Sequence, residues 1–191
     1  MDTKNEQQRQ EFENVALEHM DSLYSTALRY THNVQEAEDL VQDTYMRAYR
    51  FFDKYQKGTN FRAWIFRIMT NTFINKYRKK KRQPQKVELD KVAFSIKQKD
   101  EQKKLGQWYK YDESRYDGYF DDEVSKALSK LSDYFRIVVL LADVEGFTYK
   151  EIAKIIDRPN GTVMSRLFRG RRILKNMLSD YAKDEGYAYS R

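Results

Sequence analysis

The stretch from Thr148 to Lys175, TYKEIAKIIDRPNGTVMSRLFRGRRILK, constrains the fold most, because it encodes two helices joined by a tight turn. Thr148 can cap the first helix, its apolar residues Ile152, Ile155 and Ile156 fall at helical spacing, and Asp157-Arg158-Pro159-Asn160-Gly161 breaks it. A second helix must then start near Thr162. At about 100° per residue, Val163, Leu167, Gly170 and Leu174 make one stripe that can pack on the first helix. Ser165, Phe168, Arg169 and Arg172 point away from that stripe. Two such helices, the second with arginines on its free face, are the sequence form of a helix-turn-helix whose second helix enters the DNA major groove. An ordinary helical hairpin with a solvated basic face is the alternative.

The rest of the chain is equally helical in pattern. With only 2 Pro and 7 Gly among 191 residues, and helical periodicity almost throughout, the chain reads as all-α, organised as two small helical domains rather than one large one. A net charge of +7 suits a polyanionic partner, nucleic acid first. The absence of Cys excludes disulfides and cysteine zinc sites, so any redox sensing would reside in another molecule. His19 and His32 lack the spacing of a metal pair and read as surface or packing residues, so no metal and no cofactor is expected. The first residues lack an apolar signal region and no run of about 18 apolar residues follows, so the expectation is a soluble, cytoplasmic protein with no membrane insertion.

In chain order, Phe12 to Tyr30 carries Val15, Ala16, Met20, Leu23, Tyr24, Ala27 and Leu28 at the spacing of one amphipathic helix. Thr31-His32-Asn33 breaks it. A second helix from Val34 or Gln35 turns Ala37, Leu40, Val41, Tyr45 and Ala48 inward and shows Glu38, Asp39, Gln42 and Asp43 on its other face. Acids near a helix start can simply compensate the macrodipole; the functional reading is a docking face for a basic partner.

A polar loop, Asp53 to Asn60, follows, with Tyr55 as an exposed aromatic candidate. Asn60 can cap the third helix, FRAWIFRIMTNTFINKYRKKKR, whose buried side is marked by Ile65, Phe66, Met69 and Phe73. Arg67, Asn71, Asn75 and Arg78 line the opposite side. Asn can pair with base edges and Arg with phosphates, so this stripe suits nucleic acid, against the plainer reading of a wet helix face. Gln83-Pro84 ends the helix, and composition changes until about Asp121. That segment reads as a linker able to reach roughly 120 Å extended or roughly 35 Å as a relaxed coil, with too many aromatics for an inert spacer. The expected organisation is a first domain over 11–82, a linker over 83–121 and a helix-turn-helix domain over 122–183. In the last of these, Val124, Ala127, Leu128 and Leu131 form one stripe; Phe135, Val138, Val139, Leu141 and Ala142 form another, and Ser132-Asp133 splits them. After Leu178 the polar tail is expected to fray.

Residues 128–178 strongly resemble the -35-reading domain of bacterial extracytoplasmic-function (ECF) RNA polymerase sigma factors, of the sigma-70 family. Residues 20–82 resemble the N-terminal sigma domain of that family through LYSTALRYT, AEDLVQDTYMRAY and FRAWIFRIMTNTFINKYR. The resemblance implies that Glu38, Asp39, Gln42 and Asp43 dock on the clamp helices of the largest subunit of core RNA polymerase, the beta flap being a second contact. It implies that Tyr55, Lys57, Thr59 and Asn60 belong to the loop that captures a flipped base of the -10 element, with Arg67, Asn71, Asn75 and Arg78 on the adjoining helix. In the second helix of the helix-turn-helix, Thr162, Ser165, Arg166, Phe168, Arg169 and Arg172 match positions facing the -35 major groove or its phosphates. Met164 departs from the basic residue many members carry there. The TVMSRL form is similar to the subgroup that responds to thiol-oxidative stress with a zinc-containing anti-sigma factor, so an anti-sigma partner is implied as well.

The function expected from this is promoter specificity without catalysis: recruitment of core polymerase, reading of two promoter elements and help in melting. A stand-alone helix-turn-helix regulator is the alternative, but it would normally need a dimer and no dimer segment is evident. A small nuclease or nucleic-acid transferase would need a metal cluster, an activated nucleophile or a glycine-rich phosphate loop, and the sequence offers none.

Overall fold

The structure is a computed structural model that describes residues 2–82 and 122–186, with side chains over 6–76 and 123–186. The expected linker, with Trp108, Tyr109, Tyr111, Tyr116, Tyr119 and Phe120, lies outside the described residues. Every element among those described is helical. The pattern from Phe12 to Tyr30, which predicts a single helix, is divided: α1 (Asp2–Ala16), a 3-10 turn (Leu17–His19) and α2 (Met20–Thr31). Side chains hold the joint, since the Tyr45 hydroxyl donates to the Ala16 carbonyl (2.8 Å) and Ser22 Oγ to the His19 carbonyl (3.1 Å). Ala16, Leu23, Tyr24 and Ala27 still face inward, whereas Val15 is exposed.

His32 ends α2 in the left-handed region (φ 53°), and Asn33 caps α3 (Val34–Arg50) by accepting from the Glu36 amide at 2.9 Å. All five expected inward residues of α3 are buried, and Thr44 joins them by bonding the Leu40 carbonyl. After a 3-10 turn (Phe52–Lys54), α4 (Phe61–Arg82) begins with Asn60 Oδ1 accepting from the Ala63 amide at 3.0 Å. Its Ile65, Phe66 and Met69 are fully buried, each such side chain worth about 1.5–3 kcal/mol of transfer.

The second half starts with α5 (Asp122–Lys130) and α6 (Asp133–Val139), separated at Ser132 as expected. A π-type turn (Leu140–Val144) follows α6, closed by the Glu145 amide on the Leu140 carbonyl at 3.0 Å. Leu140 and Leu141 within this turn are buried, as is Ile137 before it, and Ala142 is only half-buried. Gly146, with φ +69°, then redirects the chain, and Phe147 is buried. Thr148 and Glu151 form a reciprocal capping box on α7 (Tyr149–Ile155). The reading helix, α8 (Asn160–Met177), starts two residues before the expected Thr162, because Pro159 holds the extended backbone from which a helix can begin. The tail expected to fray continues as α9 (Ser179–Asp184), since Leu178 keeps its bond to the Leu174 carbonyl and receives one from Ala182.

The helices before residue 75 and after residue 121 belong to one compact unit. Arg136 of α6 donates to the Tyr30 carbonyl at 2.8 Å, and the Phe66 and Phe147 rings meet edge to face at 5.1 Å.

Candidate nucleic-acid and polymerase interfaces

On α3, Glu38 and Asp39 are exposed and Gln42 and Asp43 half-buried, on the side away from Ala37, Leu40 and Tyr45. Only Glu36 stands in the first turn, where the macrodipole acts. The other acids lie beyond its reach, so dipole compensation does not account for them.

The Tyr55 loop closes on itself. The Tyr55 hydroxyl donates to the Thr59 carbonyl (2.6 Å), Thr59 Oγ1 donates to the Gln56 carbonyl (2.7 Å), and Gly58 supplies the positive φ of +86° that the turn requires. The half-buried Tyr55 ring sits among Phe52 (6.0 Å), Phe61 (5.2 Å) and Trp64 (5.3 Å). Trp64 is a fourth ring that sequence reasoning missed; an aromatic in the first turn of α4, one turn from the loop, was the available signal. Lys57 is exposed and paired with Glu11 at 2.7 Å, a contact worth little in solvent. Asn60 has two engagements: its oxygen caps α4, and its Nδ2 donates to Glu151 Oε1 of α7 at 2.8 Å. Arg67 and Asn75 are exposed and Asn71 is half-buried, one stripe as expected. The side chain of Arg78 lies outside the described residues.

Glycine makes the α8 surface possible. A Cβ at Gly170 would lie 2.9 Å from Val139 Cγ2, so only glycine lets α8 approach α6 this closely. With Val163, Leu167 and Gly170 buried, the opposite face turns out to solvent: Ser165, Arg169 and Arg172 are exposed, Phe168 is 69% exposed and Met164 52%. Thr162 is half-buried and its carbonyl accepts from Ser165 Oγ at 3.0 Å. Arg166 is half-buried with its guanidinium 5.0 Å from the centre of the Tyr134 ring; burial and then the nearby Arg158 pull its pKa down. The expected groove contact is therefore held against α6, unlike Arg169 and Arg172. Arg171 is fixed by Asp143 through two bonds, 3.1 and 2.5 Å, which brace α8 from the π-type turn.

His19 stacks on Phe61 at 5.8 Å, and its pKa is lowered by burial and then by Arg62. His32 is lowered by burial and then by Arg136. Among the described residues no His, Asp or Glu cluster is fit to hold a metal, and no helix is long and apolar enough to cross a membrane.

The family model described as Sigma-70 region 2 matches residues 15–83, and that described as Sigma-70, region 4 matches residues 121–174. The ECF RNA polymerase sigma factor SigW of Bacillus subtilis (strain 168) is 30% identical, over 84% of each chain. The chain belongs to the ECF RNA polymerase sigma factor family. SigE of Mycolicibacterium smegmatis is also 30% identical, over 91% of this chain; the chain spans 63% of the length of that longer relative. Among solved structures, the sigma factor RpoE in complex with the anti-sigma factor NepR from Bartonella quintana matches with a TM-score of 0.66 and 29% identity, covering 88% of this chain and 97% of that one. Region 2 thus comprises α2 to α4, and region 4 comprises α5 to α8. As a member of this sigma factor family the chain is a transcription initiation factor that directs RNA polymerase to promoters.

Proposed function

We propose that region 2 docks this sigma factor on the clamp helices of core RNA polymerase through Glu38, Asp39, Gln42 and Asp43, and reads the -10 element with the Tyr55 loop and the Arg67–Asn71–Asn75 stripe. Region 4 reads the -35 element with Ser165, Phe168, Arg169 and Arg172, near the beta flap. The observation carrying this is the division of exposed chemistry. One face has half-exposed aromatic rings beside amides, suited to an extruded base; the other has arginines and a hydroxyl on a free helix, suited to an intact groove. An extruded base costs a few kcal/mol to unstack, and a stacking wall such as Tyr55 returns about 1–3 kcal/mol, so capture and melting are one event.

The chain works without catalysis of its own, in the cytoplasm where polymerase is, with functional halves over 11–82 and 122–183. An anti-sigma factor restrains it, as NepR is bound to RpoE in the matched structure; a zinc-containing one fits the TVMSRL resemblance. A single basic module binds DNA non-specifically at about 10⁻⁴ to 10⁻⁶ M, so polymerase must supply the remaining affinity. Co-purification with core polymerase tests the reading: a complex that Asp39→Arg weakens is expected, and a chain that binds promoter duplex tightly as a free dimer but never retains polymerase would make it a stand-alone regulator.

A further inference from the structure

The N-terminal helix meets the support of the Tyr55 loop through two adjacent residues that precede the segment matched as region 2, which begins at residue 15. Phe12 of α1 is buried, and its ring packs edge to face on Phe52 (5.3 Å) and Phe61 (6.4 Å). Those are two of the three rings that surround Tyr55. Tyr45 and Tyr49, one turn apart on α3, also meet Phe12, at 6.2 and 5.5 Å, past the acidic face at Glu38 to Asp43. The 3-10 turn that follows α1 adds His19, stacked on Phe61. Phe61 is the first residue of α4, next to Asn60 and one turn before Trp64, so a shift of α1 is passed through close-packed rings to the rim of the loop.

Glu11 makes the second contact. Successive helical residues point about 100° apart, so with Phe12 turned to the rings Glu11 faces the loop, where its Oε2 accepts from Lys57 Nζ at 2.7 Å. The pair is exposed on both sides and so stabilises the fold little. It does set a carboxylate against the ammonium that a phosphate of the captured strand would otherwise meet.

We propose that α1 positions the -10 loop, with Phe12 as a positioning residue that holds the ring wall behind Tyr55 and Glu11 as a tether that keeps Lys57 from the DNA until the strand displaces it. The proposal rests on the reading of the Tyr55 loop as the -10 surface. Without the Phe12 ring, Phe52 and Phe61 lose a common support and Tyr55 loses the fixed plane against which an extruded base stacks. Capture then weakens while the α3 acids and α8 keep their places. Without the Glu11 carboxylate, Lys57 is free to neutralise a phosphate, and binding tightens with a steeper salt dependence.

The test uses the full chain bound to core RNA polymerase and a single-stranded oligonucleotide carrying the non-template -10 segment of a promoter mapped from transcripts induced by overproduction. A base is removed at each -10 position in turn, and the position whose loss weakens the parent most identifies the captured base. Phe12→Leu keeps the apolar bulk and removes the ring. It is expected to cut the preference for the intact over the abasic probe by about tenfold, within the range a stacked base contributes, with polymerase retention and -35 duplex binding unchanged. An undiminished preference overturns the role of Phe12, and so does a loss shared equally with -35 duplex binding, the mark of a general core residue. Glu11→Gln is independent of that packing. It should bind the intact probe more tightly, with a slope of log affinity against log salt steeper by about 0.7. Glu13→Gln, which removes the same charge from a carboxylate paired with Arg9, should stay near the parent in both. Equal behaviour of these two variants overturns the tether. Tyr55→Ala separates the proposal from the reading beneath it: a preference that ignores Tyr55→Ala sinks the -10 assignment, whereas one that depends on Tyr55 but not on Phe12 sinks the proposal alone.

Discussion

The two proposed DNA surfaces differ in how much freedom their side chains retain. On region 2, Tyr55 is wedged among three rings with its hydroxyl bonded to Thr59, and Asn60 is held by Ala63 and Glu151. On region 4, Phe168, Arg169 and Arg172 stand out from α8 with the helix itself clamped by Gly170 and Arg171. Capturing one extruded base calls for a rigid, preorganised pocket, while following a groove calls for a rigid helix with mobile charged tips. On the proposed reading the sigma factor divides recognition between shape and charge, which predicts different responses to mutation and salt.

The largest effect is expected at Phe66, whose buried ring supports α4 and meets Phe147: Phe66→Ala should cost about 3–5 kcal/mol in denaturant unfolding. A loss under 1 kcal/mol would mean that the region 2 platform is not rigid. Gly170→Ala comes next, at about 1–3 kcal/mol from overpacking against Val139, and should also weaken -35 binding by displacing α8. Arg169→Ala should reduce affinity of the polymerase complex for -35 duplex by about 1–3 kcal/mol if it makes a bidentate base contact, and should flatten the salt dependence. Asn71→Ala should instead alter -10 preference by about 1 kcal/mol in competition binding while polymerase retention stays intact. Loss of polymerase retention would mark Asn71 as a structural residue and erase the contrast.

The smallest effect is electrostatic. The Thr148 amide, then its hydroxyl, with Asn60 adding, hold the Glu151 pKa below its ordinary value of 4.5. Because the folded pKa is the lower one, the stabilisation is present above about pH 4.5 and is lost as pH falls through the depressed value. Glu151→Gln should therefore lessen the slope of stability against pH below 4.5 and change little at neutrality. An unchanged acid slope would remove Glu151 from the cap.

Much of this was legible from local pattern. The stripes of α3 and α4, the caps at Thr148 and Asn60, and the outward face of α8 follow from spacing alone, and the paired regions 2 and 4 follow from motifs in order. The joint at Leu17–His19 was hidden because the apolar period continues across it and one of the two side chains that hold it, Tyr45, is distant in sequence. The π-type turn was hidden because its buried Leu140 and Leu141 continue the apolar run of α6 without a break. Arg62, Thr26 and Glu145 could not be read at all, since their meaning arises from a contact between residues some hundred positions apart. Glu151 was readable, as the fourth residue of a T-x-x-E capping box, but its second bond to Asn60 was not.

Run-off transcription with purified core RNA polymerase tests the central claim most directly. On a promoter mapped from induced transcripts, core polymerase with this chain is predicted to give a discrete run-off product that core alone does not. Arg169→Ala should lower the yield through the -35 element, and Asn71→Ala should shift the preferred -10 sequence. No promoter-dependent product, together with no retention of the chain on core polymerase, would contradict the account.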